Sequence, residues 1–488
     1  MRPSVRSLYS ICFPGMRCVL FTSLILGVAL GLAGGASAVD VPPRGECPPY
    51  PVSPGEDAAS GEDVVPRLFS PGERIEHDEL ERLRYYLPRE VWQRRRTFFY
   101  EGMQIQVGPC HRRYPAPEFF RKATEQNRSR TRIDEQGNLL GYSGEGLPFS
   151  PKMIDEAAPD AGWKWAWNYR YRYQGSGFRG KFRIIHMLRR GRKTERFEGD
   201  FFMLPTHGYP NANDNTGDAR FWAGGKFYKP PMSRGIAWRQ RRSKDTEGDY
   251  QRSDDVWVWV PDERRVRRAP PFAVGGIFMP TYTRGQQSGM DRVILPDTNS
   301  STPGSSVGIT EHQRRGFVGL LIRPNAYRFH FMRTQDVLAP INSDLFGYPL
   351  DPDRSYGPSG LSVANGRWEL RRAIVLRGER KKPDKNFRSI TLYIDALTQA
   401  PLYLITRKQD EQVKEVGIFM GKFTGDDPLA PKWDGNGKDF GWILPVAETL
   451  FVAGEEGWIR ESFDLQSAPP DSKERKDFTS TTRLQRGH

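Results

Sequence analysis

Hydrophobic and polar side chains alternate along much of this chain, and the clearest alternation lies in the segment DVWVWV at 255–260. Side chains of a β-strand point alternately to its two faces. Trp257 and Trp259 therefore lie on one face of a predicted strand, and the three valines lie on the other. A short turn and the basic segment 264–268 follow, which predicts a β-hairpin. Its aromatic face needs an apolar cover, which a helix, a second sheet or a lipid would supply.

Other segments have a similar pattern. In 163–173 an aromatic residue occupies every second position, which is strand periodicity, although a helix that begins after Pro159 is an alternative. Further strands are predicted at 181–188, 196–204, 317–322, 326–332, 368–376, 388–395, 402–408, 415–423 and 449–453. Many strands joined by short turns indicate an antiparallel sheet. Strands and helices do not alternate along the chain, which argues against a doubly wound fold.

Helical periodicity is confined to the region before this sheet. Residues 77–96 and 115–130 are predicted to be helical, because apolar positions recur there at helical spacing. The glycine-rich, charged segments 211–252 and 285–308 are predicted to be long loops over the sheet.

The first 38 residues have the features of a secretory signal peptide. An uncharged, mostly apolar run at 19–32 follows several arginines, and ASA at 36–38 fits a cleavage site. An uncleaved membrane anchor is the alternative, but the apolar run is shorter than the ~20 residues that span a bilayer. Cys47 and Cys110 remain after cleavage and predict one disulfide in an oxidising compartment, with two unpaired thiols as the alternative.

Charge narrows the choice of partners. The 488 residues carry a formal net charge of +14. Basic proteins often bind nucleic acid, but export makes anionic lipid head groups, acidic envelope polymers or an acidic protein face better candidates. The sharpest basic cluster is Arg264, Arg265, Arg267 and Arg268. This cluster either protects a solvated edge strand or contacts lipid phosphates or a membrane partner.

Signals for catalysis are weak. The segment GSSVG at 304–308 matches the letters of a nucleophile elbow around Ser306, but that motif needs a buried strand before the serine. The preceding segment 297–303 has the composition of a loop. The histidines lack metal-site spacing with another His, Cys or Glu, and a phosphate-binding loop sequence is absent. We therefore predict that the protein is not an enzyme and has no metal or other cofactor.

Two hairpins carry a family resemblance. The sequence DVWVWVP at 255–261 with RRVRRA at 264–269 resembles a hairpin of the bacterial lipoprotein-sorting carriers. The sequence TLYIDALT at 391–398 with PLYLI at 401–405 resembles another hairpin of that superfamily.

Two shorter motifs narrow the resemblance. NAYR at 325–328 and GLPF at 146–149 are similar to motifs of the exported proteobacterial family called domain of unknown function 1329. The similarity covers residues 71–463, and its motifs mark fold rather than catalysis.

The resemblance implies a mainly β (α+β) fold of the LolA/LolB-like type. A large antiparallel sheet curves into an incomplete β-barrel around an apolar cavity, and helices plug it. The implied divisions are a signal peptide at 1–38, an extended arm at 39–70, a helical and loop segment packed on the sheet at 71–150, a β half-barrel at 151–465 and a disordered tail at 466–488.

The resemblance also implies a trafficking role. Related carriers shield acyl chains during passage through the periplasm, and the close family is associated with resistance-nodulation-division type exporters and an outer-membrane partner. We therefore expect a periplasmic carrier or chaperone for a lipid or other hydrophobic molecule, peripheral to the outer membrane at most, without a nucleic-acid partner. A non-catalytic scaffold that docks an exporter or outer-membrane protein is the alternative, and an envelope hydrolase is the third hypothesis.

Side-chain alternation selects the candidate cavity residues. They are Trp257, Trp259, Tyr327, Phe329, Phe331, Leu392 and Ile394. The face of the sheet on which these side chains lie is inferred from alternation alone. An error of one residue in the strand register would move them to the other face.

Overall fold

The computed structural model describes most of the chain after residue 69. The described residues are 70–114, 116–175, 177–188, 193–205, 218–261, 264–268, 281–284, 305–308, 322–343, 349–351, 354–384, 387–423, 445–455, 457–465 and 472–484. All of them belong to one compact unit, Val41–His488. The predicted signal peptide, the arm as far as residue 69 and Cys47 lie outside the described residues, as do most of the predicted loop 285–308 and the predicted strand 317–322 up to residue 321.

Strands dominate the described residues. They are β1 (Arg74–Glu76), β2 (Gln104–Val107), β3 (Arg132–Ile133), β4 (Leu139–Leu140), β5 (Phe178–Leu188), β6 (Lys193–Pro205), β7 (Ala219–Lys229), β8 (Ala237–Ser243), β9 (Asp255–Val260), β10 (Arg265–Arg268), β11 (Thr281–Arg284), β12 (Ser305–Gly308), β13 (Tyr327–Ala339), β14 (Gly366–Asp384), β15 (Phe387–Asp395), β16 (Pro401–Arg407), β17 (Val413–Phe423), β18 (Pro445–Gly454) and β19 (Gly457–Asp464).

Helices are few and short. The α-helices are α1 (Arg89–Gln93), α2 (Arg95–Phe98), α3 (Glu118–Asn127), α4 (Ala161–Arg170), α5 (Ser472–Thr479) and α6 (Thr481–Leu484). Turns of 3-10 helix span His77–Tyr86, Pro151–Met153, Pro231–Ser233, Lys244–Glu247 and Pro324–Ala326. The predicted helical segments 77–96 and 115–130 are therefore confirmed.

Fifteen of the strands form one large sheet. Their order is β1-β2-β14-β15-β16-β17-β18-β19-β5-β6-β7-β8-β9-β10, with β13 paired to β14. Neighbouring strands are antiparallel except for β2 and β14, which run parallel. The two ends of this order, β1 and β10, do not pair with each other within the described residues, so the sheet is not closed into a barrel. The predicted mainly β fold with an incomplete β-barrel is confirmed.

Cross-strand pairing defines two faces of this sheet. Leu392 pairs with Leu376 on one side and Leu404 on the other, and we call the face that carries these leucines the α4 face, because α4 packs on it. The adjacent residues Tyr393 and Ile405 lie on the opposite face. Directly paired residues share a face of a sheet, so the register extends this assignment along the whole strand order.

Each face buries its own hydrophobic residues. On the α4 face, one cluster joins α4 to strands β13 to β18, and a second cluster covers strands β5 to β9. On the opposite face, the N-terminal helices pack against β14 to β18, with Leu83, Val91 and Phe98 fully buried. Because both faces of the central strands are covered, these strands are apolar at nearly every position.

The segment 163–173 is mainly helix α4, not the strand that its alternation predicts, and the alternative of a helix that begins after Pro159 is confirmed. Residues two apart on a helix lie on opposite sides, so its aromatic residues form two rows at helical spacing. Trp165 and Tyr169 form one row and belong to the large cluster of the α4 face. Trp167 and Tyr171 form the other row, which packs in a small cluster with Leu139 and Tyr142. A helix buried on both sides is apolar all round, and its sequence resembles an alternating strand.

Two further predictions are wrong. The predicted loop 211–252 contains β7 and β8, whose charged residues include the buried Arg220, Arg239 and Arg242. The tail that we expected to be disordered contains α5 and α6. Phe478 of α5 stacks on Phe202 with ring centroids 4.3 Å apart, and Leu484 of α6 is fully buried.

Candidate functional site

Five of the predicted cavity residues lie together on the α4 face. Tyr327, Phe329, Leu392 and Ile394 are buried in the cluster that contains α4, and Phe331 packs against it. Their register places them on one face across β13, β14 and β15. These five residues form one apolar surface that α4 joins in the described structure, and their role in a ligand cavity remains a prediction.

The two tryptophans that dominate the sequence lie on the other face. Val258 of β9 pairs with the fully buried Trp238, whereas Trp257 and Trp259 are only half-buried on the opposite face. Trp257 stacks on Trp222, with ring centroids 6.0 Å apart. The alternation along β9 was predicted correctly, but grouping Trp257 and Trp259 with the other five residues was wrong, because strand alternation does not reveal which face of β9 is continuous with which face of β13.

Helix α4 contacts the sheet most closely near its beginning. A Cβ atom at Gly162 would overlap the backbone carbonyl of Phe329, so only glycine permits this approach. The indole Nε1 of Trp163 donates to the carbonyl oxygen of Tyr327 at 2.8 Å. Among the described residues, the buried indole Nε1 of Trp165 has no hydrogen-bond partner. A buried donor without a partner destabilises the packed position of α4.

The end of α4 is held by different contacts. Trp167 Nε1 donates to the carbonyl oxygen of Gly137 at 3.0 Å, and the Trp167 ring stacks on Tyr171 with centroids 6.0 Å apart. The side-chain amide of Asn168 donates to the carbonyl oxygen of Phe149 at 2.8 Å. The C-terminal half of α4 is therefore anchored to the loops on its outer side, whereas its N-terminal half contacts β13.

Two small cavities lie near the C-terminal end of α4. The first has a volume of about 30 Å³, and its lining includes Arg170, Tyr171, Met203 and Phe221. The second has a volume of about 60 Å³, and its lining includes Arg172, Phe419 and Glu448. Pockets for drug-sized ligands have volumes of roughly 300–1,000 Å³, so neither cavity admits a complete lipid while α4 is in place.

A wider groove lies elsewhere, among the N-terminal helices. It has a volume of about 470 Å³ and is open to solvent, with Leu80, Trp92, Phe99 and Tyr100 in its lining. Arginines 95 and 96 also line it, so its surface is mixed in character.

The charges around the end of α4 are buried and mostly arginine. Arg220 forms a bidentate pair with Glu247, with Nε–Oε1 and Nη2–Oε2 distances of 2.5 and 2.7 Å. Arg242 and Arg323 both bind Asp254, at 2.9 and 2.7 Å. Burial by itself would raise the pKa of Asp254, but the charges of Arg242 and Arg323 outweigh burial and lower it.

Two groups near the cavities have pKa values moved by burial. Burial lowers the pKa of Arg170 to about 10, because its guanidinium lies away from water. Burial raises the pKa of the Glu448 carboxyl to about 7; the charge of Arg172 opposes this rise, and Glu461 adds to it. In both Arg170 and Glu448, burial disfavours the charged form of the side chain.

The predicted basic cluster lies on β10, at one end of the strand order. Arg268 forms an ion pair with Asp255, which also binds Arg241 at 2.9 Å. Arg264 precedes the strand in the left-handed region, at φ 50°. The edge position fits the reading in which charge protects a strand edge, and a role in binding head groups or a partner remains a prediction.

Two further sequence predictions concern the disulfide of Cys110 and the candidate nucleophile Ser306. Cys110 is disulfide-bonded, and its pairing with Cys47 remains a prediction because Cys47 lies outside the described residues. Ser306 lies inside β12, which forms a two-stranded hairpin with β11, whereas a nucleophile elbow requires a turn between strand and helix.

The described residues contain neither a metal-type cluster nor a helix that could span a membrane. Three or more metal-ligating side chains do not come together at any point there. None of the described helices has the length and apolar composition that crossing a membrane requires.

Comparison with solved structures finds several similar chains. A Vibrio parahaemolyticus domain, provisionally described as an outer membrane lipoprotein-sorting protein domain, has 12% sequence identity and a TM-score of 0.36, covering 67% of this chain and 99% of that one. A DUF1329 family protein from Desulfovibrio piger has 12% identity and a TM-score of 0.36, with 67% and 98% coverage. A LolA superfamily protein from Nitrosomonas europaea has 11% identity and a TM-score of 0.29, with 64% and 93% coverage.

Part of the sequence matches a family model. Curated proteins include no match to this chain. A family model described as "Protein of unknown function (DUF1329)" matches residues 75–285. The resemblance inferred from the sequence motifs is thereby confirmed: residues 75–285 of this chain match the DUF1329 family model.

Proposed function

We propose that this protein is a non-catalytic periplasmic carrier or chaperone for a lipid or another hydrophobic molecule. The bound molecule would lie on the α4 face and take the place of part of α4. The observation that carries the proposal is the apolar surface under α4. Leu376, Leu392 and Leu404 are all fully buried in the cluster that contains α4, a helix of ten residues. Lifting this helix would expose a ready-made apolar surface on a sheet that is not closed.

The contacts of α4 favour opening at its N-terminal end. A helix shorter than about 12 residues is marginal in water by itself, and packing supplies its stability. The packing near Gly162 includes the unsatisfied Trp165 indole, whereas Trp167 and Asn168 bind loops at the other end. Part of α4 would therefore swing away from β13 while its C-terminal end stays in place.

The energetics permit such an exchange. A sixteen-carbon chain hidden from water gains on the order of 13 kcal/mol, at ~0.8 kcal/mol per methylene. Each large side chain of α4 that leaves the sheet loses about 1.5–3 kcal/mol. Lifting Trp163 and Trp165 therefore removes less burial than the ligand restores, and the loss of rigid-body freedom on binding offsets part of the surplus. A reversible carrier requires such a balance.

The test is mass spectrometry of organic extracts from gently purified mature protein. The wild type is expected to retain a hydrophobic molecule. Gly162→Ala is expected to retain more, because the added Cβ forces α4 away from Phe329. Lys164→Ala is the matched control, since Lys164 lies on the same helix and pairs with Asp160 at 2.8 Å away from the sheet. Extracts without a bound molecule from both the wild type and Gly162→Ala would contradict the proposal.

A second candidate is a non-catalytic scaffold that docks an exporter or an outer-membrane protein. The observation that favours it is the occupied α4 face, with only small cavities beside α4. In that case α4 is a permanent part of the core. Extracts free of lipid, together with a membrane protein recovered from envelope extract on immobilised protein, would favour the scaffold over the carrier.

A further inference from the structure

Arg170, the last residue of α4, differs from the arginines around it. Its side chain is 5% exposed and lines the cavity of about 30 Å³ at the end of the helix. Its guanidinium lies 5.0 Å from the centre of the Tyr171 ring and 5.6 Å from that of Phe221. Among the described residues, neither a carboxylate ion pair nor a side-chain hydrogen bond is formed by this guanidinium.

The nearby carboxylates are already engaged. Both oxygens of Glu247 bind Arg220. Both oxygens of Asp254 bind Arg242, and one of them also binds Arg323. Two carboxylates therefore form ion pairs with three other arginines. The surroundings of Arg170 carry more positive than negative charge.

A buried charge without a counter-ion is unfavourable. The two aromatic rings stabilise Arg170 in part, because a cation is attracted to a ring face. They do not supply hydrogen-bond acceptors for the guanidinium, whose fixed fork of donors matches two oxygens of one anionic group. The open space beside Arg170 is where such a group would lie.

The size of the cavity limits the group that fits. A volume of about 30 Å³ holds roughly two water-sized atoms. This matches the two oxygens of a carboxylate and is small for a phosphate ester. Phe120, Met203 and Phe221 line the same cavity, so the atoms next to the charged group would meet an apolar wall.

We propose that Arg170 binds the carboxylate of a long-chain acid whose hydrocarbon tail lies on the α4 face. This inference rests on the proposed carrier function and assigns the chemical class of its ligand. The anchored C-terminal end of α4 keeps Arg170 in place, and the N-terminal end of the helix lifts to admit the tail. The head group supplies the counter-ion that the buried guanidinium lacks in the described structure.

The test compares palmitate with methyl palmitate, which has the same tail without the charge, by titration calorimetry on delipidated protein. The wild type is expected to bind palmitate more tightly than the ester. Arg170→Met is expected to weaken palmitate binding by about tenfold or more, because a charge-assisted hydrogen bond is lost. Its effect on the ester is expected to be less than about twofold. Sodium acetate serves as the probe for a free carboxylate.

Arg239→Met is the matched control. Arg239 is 2% exposed and lies 4.9 Å from the Phe202 ring, but its register places it on the opposite face, beside Trp257. It is expected to leave the ratio of the two affinities unchanged. Arg170→Met should fold, because methionine replaces an unpaired buried charge with an apolar chain of similar length. If it does not, Arg170→Lys tests the same point, since it keeps the charge and should keep the preference for the acid.

The outcomes separate the two proposals. Equal affinities of the wild type for acid and ester, or equal weakening of both by Arg170→Met, would overturn the role of Arg170 and leave the carrier function intact. Acetate that binds as tightly as palmitate would overturn the assignment of a long-chain ligand. Failure of the wild type to bind either long-chain probe would contradict the carrier function together with this inference.

Discussion

At the scale of single residues, the buried arginines are stabilised by very few carboxylates. Asp254 holds both Arg242 and Arg323, and all three side chains are nearly inaccessible to solvent. Removing one partner of a buried ion pair leaves an uncompensated charge, which destabilises a protein far more than the loss of a surface pair. The neighbouring residues Asp254 and Asp255 allow the comparison within one segment, because Asp254 is in a buried ion pair and Asp255 is in partly exposed ones.

We predict that Asp254→Asn lowers the free energy of unfolding by about 3–5 kcal/mol, because two buried guanidiniums lose their counter-charge. Asp255→Asn is expected to lower it by less than about 1 kcal/mol, since Asp255 is only partly buried in its pairs with Arg241 and Arg268. Urea denaturation measures both values. Equal losses in the two variants would show that the buried network contributes little.

A pH dependence follows from Glu448. Burial raises its pKa from 4.5 to about 7 in the folded protein. A carboxyl with a raised pKa stabilises the fold in its protonated form, so its contribution is fully present below pH 4.5 and is lost as pH rises towards 7. We predict that Glu448→Gln increases the free energy of unfolding at pH 8 relative to wild type, by at most about 3 kcal/mol.

The same substitution should have little effect at pH 4.5, where the wild-type carboxyl is already neutral. Urea denaturation at the two pH values is the measurement. Glu81→Gln is the control, since Glu81 is 68% exposed and pairs only with Arg84 on the surface. A gain from Glu448→Gln that is the same at both pH values would contradict the raised pKa.

At the scale of elements, the C-terminal helices are part of the folded unit. Leu484 at the end of α6 is fully buried, and Phe478 of α5 stacks on Phe202 of β6. We predict that Leu484→Ala lowers the free energy of unfolding by about 2–5 kcal/mol, as expected for a buried leucine. Arg483→Ala, on the exposed side of the same helix, should change it by about 0.5 kcal/mol or less. A truly disordered tail would make the two variants indistinguishable by urea denaturation.

The sequence predicts those elements in which burial follows simple alternation. Strand β9 alternates valine with tryptophan, and β9 and β10 form the hairpin that the pattern predicts. The β15–β16 hairpin is equally clear, because central strands covered on both faces are apolar at almost every position. These elements identify the fold class correctly.

The elements that the sequence does not predict have polar residues in unusual places. Strands β7 and β8 contain Arg220, Arg239 and Arg242, which suggest a solvated loop until their buried partners are known. The carboxylates that pair with Arg220 and Arg242 are Glu247 and Asp254, which lie outside β7 and β8, and one sequence does not reveal the pairing.

Helix α4 was predicted only as the alternative to a strand, because aromatic residues on two sides of a helix imitate a strand. The same error left Arg170 out of the candidate site residues. Only its place beside the cavity, next to carboxylates that other arginines already engage, reveals the unpaired guanidinium.

At the scale of the whole molecule, the α4 face is one apolar surface along an open sheet. The clusters around Leu392 and around Phe182 lie on the same face and both contact Ile459 of β19. Helix α4 covers only the first of them. A ligand that lifts the N-terminal half of α4 would therefore extend an existing core instead of creating a new one.

Hydrogen–deuterium exchange of the delipidated and ligand-loaded protein tests this account most directly. Binding is expected to speed amide exchange over residues 161–166, while exchange over β15 and β16 stays slow, because the ligand replaces the N-terminal half of α4 on an intact sheet. Unchanged or slower exchange over residues 161–166 in protein that demonstrably carries its ligand would contradict the account.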